Sequence, residues 1–374
     1  MKNPVFRFLM VSFLMEIFLL MNAIAGENGG KQKFPTPQIP FHPKRYICYR
    51  AEKSLRIDGQ LNESSWEKAQ WTDNFMDIRG RQAPKPRFRT RVKMLWDSTY
   101  FYVAAQLEEP DVWATLTNRD AVIYQDNDFE VFIDPDGDTH DYYEFEMNAL
   151  NTVWDLLLTR PYRDEGDAVN DWDIHGIKTA VHVNGTLNRP GDRDDGWTAE
   201  IAFPWEALAE CSHKEAPPRR GDQWRVNFSR VEWQVKVENE KYVKVRDPKT
   251  GKPFSEDNWV WSPQGLINMH YPEMWGVVQF SAKNVGSAEV AFGKDKENSI
   301  KWDLRKVYYA ERTYFLNHQA YSSDIPIRWL PIPGFKNPPS VVAGKDFFVA
   351  TLRSEGSSVR WHIREDGRVW KGKN

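Results

Sequence analysis

The chain has little cysteine and none of the common cysteine-based metal or haem motifs. Only Cys48 and Cys211 occur in 374 residues, and the patterns CxxC, CxxCH and HExxH are absent. Structural zinc and covalently attached haem therefore have no support. The two thiols could pair in an oxidising compartment, although two separate buried thiols are the commoner arrangement.

Neither sign of charge dominates the sequence. The 50 basic and 53 acidic residues are intermixed and give a net charge of −3. A nucleic-acid-binding protein usually shows a basic stripe or patch, which this sequence lacks. Nucleic acid is therefore not an expected partner.

Only one apolar run, at the N-terminus, approaches the length of a membrane span. Residues 8–25, FLMVSFLMEIFLLMNAIA, follow Lys2 and Arg7 and end in the small-x-small pattern Ala23–Ala25. A membrane anchor is the alternative, but Glu16 at its centre would be costly in lipid. The ending is typical of signal peptidase cleavage, and no cysteine follows it closely. We predict a signal peptide over 1–25, no membrane insertion after cleavage, and export to the periplasm, cell surface or medium.

What the sequence has in quantity is aromatic residues and short β-type runs, with 17 Trp, 14 Tyr and 21 Phe. Residues 26–45 are rich in Gly and Pro and predict an extended leader. Residues 46–282 alternate between Val-, Ile- and aromatic-rich runs and turn residues, which predicts an all-β fold, an antiparallel β-sandwich. One short helix is predicted over 204–210, with Pro204 in its first turn. Three polar segments, 161–176, 188–196 and 238–258, are predicted to be loops.

The spacing of apolar residues along the sequence changes after about residue 283. Apolar residues recur at helical spacing over 299–318, and a hairpin-like segment covers 347–370. Residues 283–374 therefore predict a small α+β appendage. Because a unit of this size buries little core alone, we expect it to dock on the sandwich.

Acidic residues alternate with apolar ones in two neighbouring runs, DNDFEVFID and YYEFEMNAL. In a strand, alternate residues share a face. If the two strands pair, six polar side chains meet on one surface: Asp128, Glu130, Asp134, Glu144, Glu146 and Asn148. Like charges opposite one another repel. The surface is therefore either well solvated or holds a cation, a hydroxyl-rich ligand or a carboxylate pair for glycoside hydrolysis.

The connection between these runs contains Asp134, Asp136 and Asp138 in the sequence DPDGD. Oxygen ligands at alternating positions are typical of calcium loops. Pro-Asp-Gly is also a common hairpin turn, and the remainder of an EF-hand loop is missing. The turn is the favoured interpretation, and calcium bound by these three residues is the alternative.

The tryptophans divide by their sequence context. Those in apolar contexts are predicted to be core residues: Trp66, Trp96, Trp197 and Trp275. Trp172, Trp259 and Trp261 lie in polar, loop-like sequence, where a large exposed ring usually covers something. Trp259 and Trp261 should face the same way, because Val260 separates them. We predict that they stack on sugar rings.

Four segments in order carry a resemblance to a known family. IDGQLNESSWEKA, VKMLWDSTYFYVAAQLEEP, DNDFEVFIDPDGD and GWTAEIAFPWEAL are together similar to carbohydrate-binding module family 9, of the DOMON-like superfamily. The resemblance covers about residues 46–282. It implies a jelly-roll type β-sandwich with a sugar on its concave side, and calcium ions of largely structural role.

The resemblance also implies site residues, although the correspondence is partial. The polar contacts of the family fall on Glu130 and Asn148, and one clamp tryptophan of the family falls on Tyr124. The second clamp tryptophan falls near Met269 and His270, and an arginine of the family site falls on Glu146. If the site has a second stacking ring, as the resemblance implies, Trp259 or Trp261 would supply it.

Three functions are weighed on this basis. The first is a secreted, non-catalytic protein that binds oligosaccharide or polysaccharide in xylan or glucan breakdown. The second is a glycoside hydrolase or an accessory subunit of one, although the appendage is too small for the usual barrel of about 250 residues. The third is haem b electron transfer through Met269 or His270 with Met147 or Met94, although adjacent residues rarely ligate opposite haem faces.

Overall fold

The computed structural model describes residues 32–293, 297–324, 339–353 and 359–372. The predicted signal peptide lies outside the described residues, as does 26–31 of the predicted leader. The strands are, in chain order, β1 (Arg45–Arg50), β2 (Met76–Asp77), β3 (Thr90–Trp96), β4 (Tyr100–Glu108), β5 (Asp128–Asp134), β6 (Tyr142–Asn148), β7 (Val153–Leu158), β8 (Ala168–Val169), β9 (Lys178–Asn184), β10 (Gly196–Pro204), β11 (Gln223–Glu232), β12 (Val235–Glu238), β13 (Lys241–Lys244), β14 (Asp257–Val260), β15 (Gly276–Asn284), β16 (Ser340–Ala343), β17 (Phe348–Arg353), β18 (Arg360–Arg364) and β19 (Val369–Gly372). The α-helices are α1 (Ser64–Lys68), α2 (Trp205–Leu208) and α3 (Asn298–His318), and single 3₁₀ turns span Ile123–Gln125, Tyr162–Asp164 and Pro272–Met274.

The large sheet runs in the order β8-β7-β6-β5-β11-β15-β1-β3-β4-β10-β9; β14 also pairs with β11, and β2 pairs with β14. Most neighbours pair antiparallel, as the sequence predicts. The exception is β1, which is parallel to both β15 and β3 and so joins the two halves of the sheet. The predicted fold, a largely antiparallel β-sandwich with a C-terminal α+β part, is confirmed.

The sandwich core follows from the alternation of the strands. Phe129 and Val131 of β5 share one hydrophobic cluster with Val103 of β4 and Ile201 of β10, which come from the other half of the sheet. The predicted core tryptophans, Trp66, Trp96, Trp197 and Trp275, are all at most 3% exposed. The acidic residues of β5 and β6 therefore lie on the opposite face of these strands, called here the outer face because it points away from the sandwich core.

Several local predictions need adjustment. Helix α2 begins at Trp205, one residue after Pro204. The segment 238–258, predicted as a loop, contains β13, which pairs with β12 in a two-stranded hairpin. Both cysteines are free thiols, with Cys48 buried and Cys211 half-buried.

The C-terminal part packs a helix on a sheet. The strands β16, β17, β18 and β19 form an antiparallel sheet in chain order. Leu304 and Val307 of α3 lie in one cluster with Phe348 and Ile363 of that sheet. The predicted helix and the β17–β18 pairing agree with the structure, and the connection 354–358 lies outside the described residues.

A buried polar network joins α3 to the sandwich. The Tyr308 hydroxyl donates to Asp164 Oδ1 at 2.5 Å, and Arg312 Nη1 lies 2.6 Å from the same oxygen. The Tyr309 hydroxyl donates to Glu273, which also accepts from Arg163 Nη2 at 3.0 Å. Both carboxylates belong to connections that leave the sandwich, so the helix holds these connections in place.

The leader contributes to the same junction. Phe34 is buried and packs edge-on against Tyr308 at a centroid distance of 5.7 Å. Phe41 stacks on Trp302 at 4.3 Å.

In all four described stretches of the chain, no helix is both long and apolar enough to cross a bilayer.

Candidate functional site

The outer face of β5, β6 and β7 presents acidic and aromatic side chains in register. Antiparallel partners directly opposite each other share a face. One row crosses four strands through Ser229, Glu130, Glu146 and Trp154, and the next row crosses through Asn227, Phe132, Glu144 and Leu156. The predicted meeting of carboxylates on one surface is therefore confirmed by the register.

These carboxylates are buried, which controls their protonation. Glu130, Glu144 and Glu146 are only 5%, 6% and 2% exposed. Burial raises the pKa of Glu130 to about 7. Burial, and then the negative charge of Glu130, raises the pKa of Glu144 and of Glu146 well above the usual carboxyl range. Desolvation disfavours the charged form, so this face resists carrying several negative charges at once.

Asp128 lies two residues before Glu130 on the same face and completes the acidic group. Its Oδ1 accepts a hydrogen bond from Val231 N at 3.1 Å, whereas its Oδ2 and Glu130 Oε2 are buried without a hydrogen-bond partner. One oxygen each of Asp128, Glu130 and Glu146 lie within 4.8 Å of one another. In the part of the chain that the structure covers, no Lys, Arg or His forms an ion pair with any of the three.

Two tyrosines and one loop border this face. Tyr124 is half-buried in the 3₁₀ turn Ile123–Gln125, and its backbone N–H donates to Glu146 Oε2 at 3.0 Å. Tyr162 packs edge-on against His270 at a centroid distance of 4.5 Å. The negative charges of Glu144 and Glu146 add to burial in raising the pKa of Tyr162 above its ordinary value. The tyrosines therefore place aromatic rings beside the carboxylates.

Met269 and His270 border the same face, but both have partners in the protein. The Met269 carbonyl accepts from Trp275 Nε1 at 2.8 Å, and His270 Nδ1 lies 2.9 Å from the Tyr142 hydroxyl. Burial, and then the positive charge of Arg163, lower the pKa of His270 to about 3. His270 is therefore neutral, and its packed ring forms part of the border of this face.

The residues named for haem ligation are not brought together. Met94 and Met147 lie in the sandwich core, whereas Met269 lies in the cluster on the outer face of the sheet. The sheet separates the two groups. Met94 and Met147 therefore do not meet Met269 in a position to ligate one haem from opposite sides.

Asn148 has a structural role in place of the predicted sugar contact. Its Nδ2 donates to the Leu116 carbonyl at 2.9 Å and to Asp126 Oδ2 at 3.1 Å. Its Oδ1 accepts from the backbone N–H of Leu150 and Thr152. Since the amide is used by protein groups and is fully buried, it orders the turn after β6.

The prediction that Trp259 and Trp261 lie exposed in a loop is wrong. Trp259 belongs to β14, and the two rings are 2% and 1% exposed. They do face the same way, but into the sandwich core, while Val260 faces the outer cluster. The Trp261 ring packs against Phe228 at 5.8 Å. The pairing of β14 with β11 and β2 fixes this orientation, and so the rings are buried in the core.

Trp172, the third ring in polar sequence, also packs on the protein. It is half-buried and stacks on Tyr143 at a centroid distance of 4.9 Å. Its Nε1 donates to Glu210 Oε2 at 2.6 Å. The ring therefore covers the edge of the core.

The DPDGD segment forms a hydrogen-bonded turn. Asp134 accepts from Gly137 N at 2.8 Å and from Thr139 N at 3.0 Å, one bond to each carboxylate oxygen. Asp138 accepts from His140 N at 2.8 Å and from Arg368 Nε at 2.9 Å. Backbone N–H groups and the Arg368 guanidinium therefore already contact the carboxylates of Asp134 and Asp138. Calcium at these residues stays a prediction, and the turn interpretation fits the contacts better.

Three residues of this face are not among the predicted site residues. Glu144 lies on the predicted acidic face, but nothing in the sequence distinguishes it as a ligand-binding residue. Trp154 has a usable signal, because the alternation of β7 places it in line with Glu146. Tyr162 lies in a 3₁₀ turn of a polar segment, where no periodic pattern indicates its direction.

Comparison with known proteins identifies the family. The family described as "Carbohydrate family 9 binding domain-like" matches residues 57–255, more than half of the chain. The chain belongs to this family. The match includes Tyr124, Glu130 and Glu146 and ends before β14 and the loop of Met269. No curated protein sequence matches the chain.

Solved structures of similar proteins include two of a family 9 module from Caldicellulosiruptor kristjanssonii. The complex with cellotriose shares 17% identity with this chain, covering 67% of this chain and 100% of the module, at a TM-score of 0.41. The complex with glucose shares 16% identity, covering 66% and 99%, at a TM-score of 0.40. A proposed carbohydrate-binding protein from Bacteroides uniformis shares 17% identity, covering 64% and 100%, at a TM-score of 0.45.

Proposed function

We propose that this family 9 protein binds an oligosaccharide or polysaccharide on the outer face of β5, β6 and β7, without catalysing a reaction. The observation that carries the proposal is the row Glu130–Glu146–Trp154 with Tyr124 at its border. It combines carboxylate acceptors with the partly exposed ring of Tyr124, two kinds of group that contact sugars. Membership of a carbohydrate-binding family supports the same function.

The chemistry of binding follows from the side chains. Sugar hydroxyls would donate to Glu130, whose Oε2 has no partner in the protein. A buried acceptor left unpaired is costly, so a hydroxyl that fills it is held more tightly than one on an open surface. The rings of Tyr124 and Tyr162 supply flat apolar surface for the C–H groups of a sugar ring.

The nature of the glycan and the cellular location belong to the same proposal. We propose xylan- or glucan-type chains as ligands, because the resemblance of the sequence to family 9 modules favours them. Export to the periplasm, cell surface or medium is supported by the pattern of residues 1–25. We therefore propose that the protein acts in polysaccharide breakdown outside the cytoplasm.

A glycan array followed by calorimetric titration tests the proposal. Tyr124→Ala should weaken binding by roughly 5- to 150-fold, the effect of losing one stacking ring. Glu130→Gln should also weaken binding, because the new amide offers N–H donors where an acceptor is needed. Trp370→Ala, on β19 of the C-terminal sheet, is the matched control and should bind normally. If both site variants fold and bind like the control, the sugar site lies elsewhere.

A glycoside hydrolase is the second candidate, favoured by one observation. Glu130 has a pKa of about 7 and lies close to Glu146, with carboxylate oxygens within 4.8 Å. Retaining glycosidases use two carboxyl groups about 5–5.5 Å apart, one of them with a raised pKa. Release of reducing sugar from xylan or glucan by the wild type, lost in Glu146→Gln, would replace the binding proposal with this one.

A further inference from the structure

The C-terminal sheet, β16 to β19, has one face that points away from α3. Its other face packs on the helix, where Phe348 and Ile363 lie in one cluster with Leu304 and Val307. Because successive strand residues alternate between the two faces, the residues between the packed ones point the other way. We call this side the distal face. Val342, which belongs to it, is 66% exposed, so the distal face is open to solvent.

The middle row of the distal face carries an aromatic platform. This row crosses three strands through Thr351, His362 and Trp370, which lie directly opposite one another. The Trp370 ring stacks on His362 at a centroid distance of 5.2 Å, with 21° between the ring planes. His362 Nδ1 lies 2.8 Å from the Thr351 hydroxyl, a contact that orients the imidazole. A Cβ at Gly372 would lie 2.4 Å from His362 Nε2, so glycine leaves room for the ring.

Trp370 is not needed to fill the core beneath the sheet. Of the two described tryptophans in these strands, only Trp361 belongs to the hydrophobic cluster that the sheet forms with α3. Trp370 is half-buried, and its stacking partner is a residue of the same open face. Its ring is therefore available to a ligand.

The neighbouring row of the distal face is basic. Arg353 and Arg360 lie directly opposite each other on β17 and β18, and both are exposed. Like charges opposite one another on neighbouring strands repel. On the other side of the platform, Arg364 donates from Nε and Nη2 to Asp366 at 2.9 and 2.6 Å. The described strands β16 to β19 contain no Asp or Glu, so the platform lies beside positive charge.

His362 does not add to this charge. Burial, and then the positive charge of Arg360, lower the pKa of His362 below its ordinary value. The imidazole is therefore neutral at pH 7 and extends the flat, uncharged surface of Trp370. The positive charge of the distal face comes from guanidinium groups.

An aromatic platform beside guanidinium groups fits a sugar that carries a carboxylate. The C–H groups of a sugar ring pack on an indole face, and a guanidinium binds a carboxylate through two parallel hydrogen bonds. A neutral sugar would use only the platform, and an acidic peptide would use only the arginines. Single-stranded nucleic acid could use both, but its binding proteins present a positively charged groove along the strand. This chain has intermixed charges and a net charge of −3, which favours the acidic sugar.

We propose that the distal face binds an acidic polysaccharide, a chain of uronic acids, with Trp370 stacked on one sugar ring and Arg353 and Arg360 paired with its carboxylates. Neighbouring strands are about 4.8 Å apart and alternate residues of a strand about 6.6 Å, so two adjacent sugar rings can reach both groups. This surface lies outside residues 57–255, which match the family. It is separate from the outer face of β5, β6 and β7 and does not depend on the function proposed for that face.

The test is calorimetric titration of the full chain with polygalacturonate, a polymer of uronic acids. Trp370→Ala should weaken binding by roughly 5- to 150-fold, the effect of losing one stacking ring, and Trp370→Phe should restore part of it. Arg360→Gln should weaken binding by about 1.5- to 5-fold, the effect of one exposed ion pair. Arg189→Gln is the matched control, because it removes the same charge from an exposed position in the loop 188–196 of the sandwich, and it should bind like the wild type.

Thermal melts and two further polyanions complete the test. Since Trp370 lies outside the core cluster, its variants should melt within a few degrees of the wild type; Arg360→Gln is the reserve if they do not fold. The inference is overturned if the wild type does not bind polygalacturonate, or if the folded variants bind it like the control. Equal binding of polyglutamate or single-stranded DNA also overturns it, because either polymer offers the charge without the sugar acid.

A neutral cello-oligosaccharide separates this inference from the proposed function. Tyr124→Ala should weaken binding of the neutral sugar and leave polygalacturonate binding unchanged, and Trp370→Ala should do the reverse. If polygalacturonate binding is lost in Tyr124→Ala and kept in Trp370→Ala, the acidic polymer binds the face of β5, β6 and β7 and the inference is wrong. If no neutral sugar binds while polygalacturonate binding depends on Trp370, the proposed function is contradicted and the inference is supported.

Discussion

Trp66→Ala should destabilise the sandwich by about 3–5 kcal/mol, the range for removing a large buried side chain. Trp66 lies on α1 and is fully buried, in a cluster with Leu95 and Tyr102. Its Nε1 donates to Glu200 Oε1 at 2.8 Å. Removing the ring opens a cavity and also leaves Oε1 of the buried Glu200 without the Trp66 donor, which by itself costs about 1–3 kcal/mol, while Oε2 keeps its bonds from Asp58 N and Gly59 N. We therefore expect the upper half of the range.

A second substitution separates the cavity from the hydrogen bond. Trp66→Phe keeps most of the apolar contact but removes the N–H group and a small part of the ring, so it should cost about 1–3 kcal/mol. Combining it with Glu200→Gln in a double-mutant cycle should show a coupling of about 0.5–3 kcal/mol, the range for groups in contact. Urea denaturation followed by circular dichroism measures the free energy of unfolding of each variant.

The neighbouring Trp71 provides the control. It is half-buried, and Arg91 and Lys93 lie over its ring at 4.2 and 4.5 Å from the centroid. Cation–π contacts at exposed sites are worth about 0.5–1 kcal/mol each, so Trp71→Ala should cost far less than Trp66→Ala. Equal costs for the two alanine variants, or a cost below about 1 kcal/mol for Trp66→Ala, would show that α1 does not anchor the sandwich as described.

Three further outcomes are expected. Trp261→Ala should cost about 3–5 kcal/mol in thermal or urea melts, because the ring is core; near-wild-type stability would contradict its burial. Because the pKa of His270 in the folded protein is about 3, below the usual value near 6.5, the unfolded chain takes up the proton first as the pH falls. Stability should therefore decline by up to about 1.4 kcal/mol per pH unit below pH ~6.5, and His270→Gln should remove this component; an unchanged pH profile would refute it. N-terminal sequencing of the secreted protein should begin at Gly26, and a mature chain that retains residues 1–25 in membranes would contradict export.

The acidic face was predictable because it depends only on local alternation. Side chains of a strand point to opposite faces with a period of two, so Glu130 and Glu146 had to leave the core once Phe129 and Met147 entered it. The pairing of the two strands required only a short connection between them. Sequence pattern therefore located the carboxylates before any contact was known.

The border of the site was not predictable in the same way. Tyr124, Tyr162 and His270 reach the face from three segments far apart in sequence, and their positions depend on how those connections fold over the sheet. For Trp259 and Trp261, alternation correctly gave a shared direction but could not say which face is buried. That choice is made by the long-range pairing of β14 with β11 and β2.

The junction with α3 limits how this protein can be divided. The turn that carries Tyr162 continues into Arg163 and Asp164, and the loop of His270 continues into Glu273. Tyrosines of α3 donate hydrogen bonds to Asp164 and Glu273, and Arg163 donates to Glu273. A chain that ends before α3 would keep Glu130, Glu146 and the three segments beside them, but it would lose the contacts that hold two of those segments in place. The sandwich alone is therefore a poor choice for fusion to another protein as a carbohydrate-binding tag. Such a fusion should include α3.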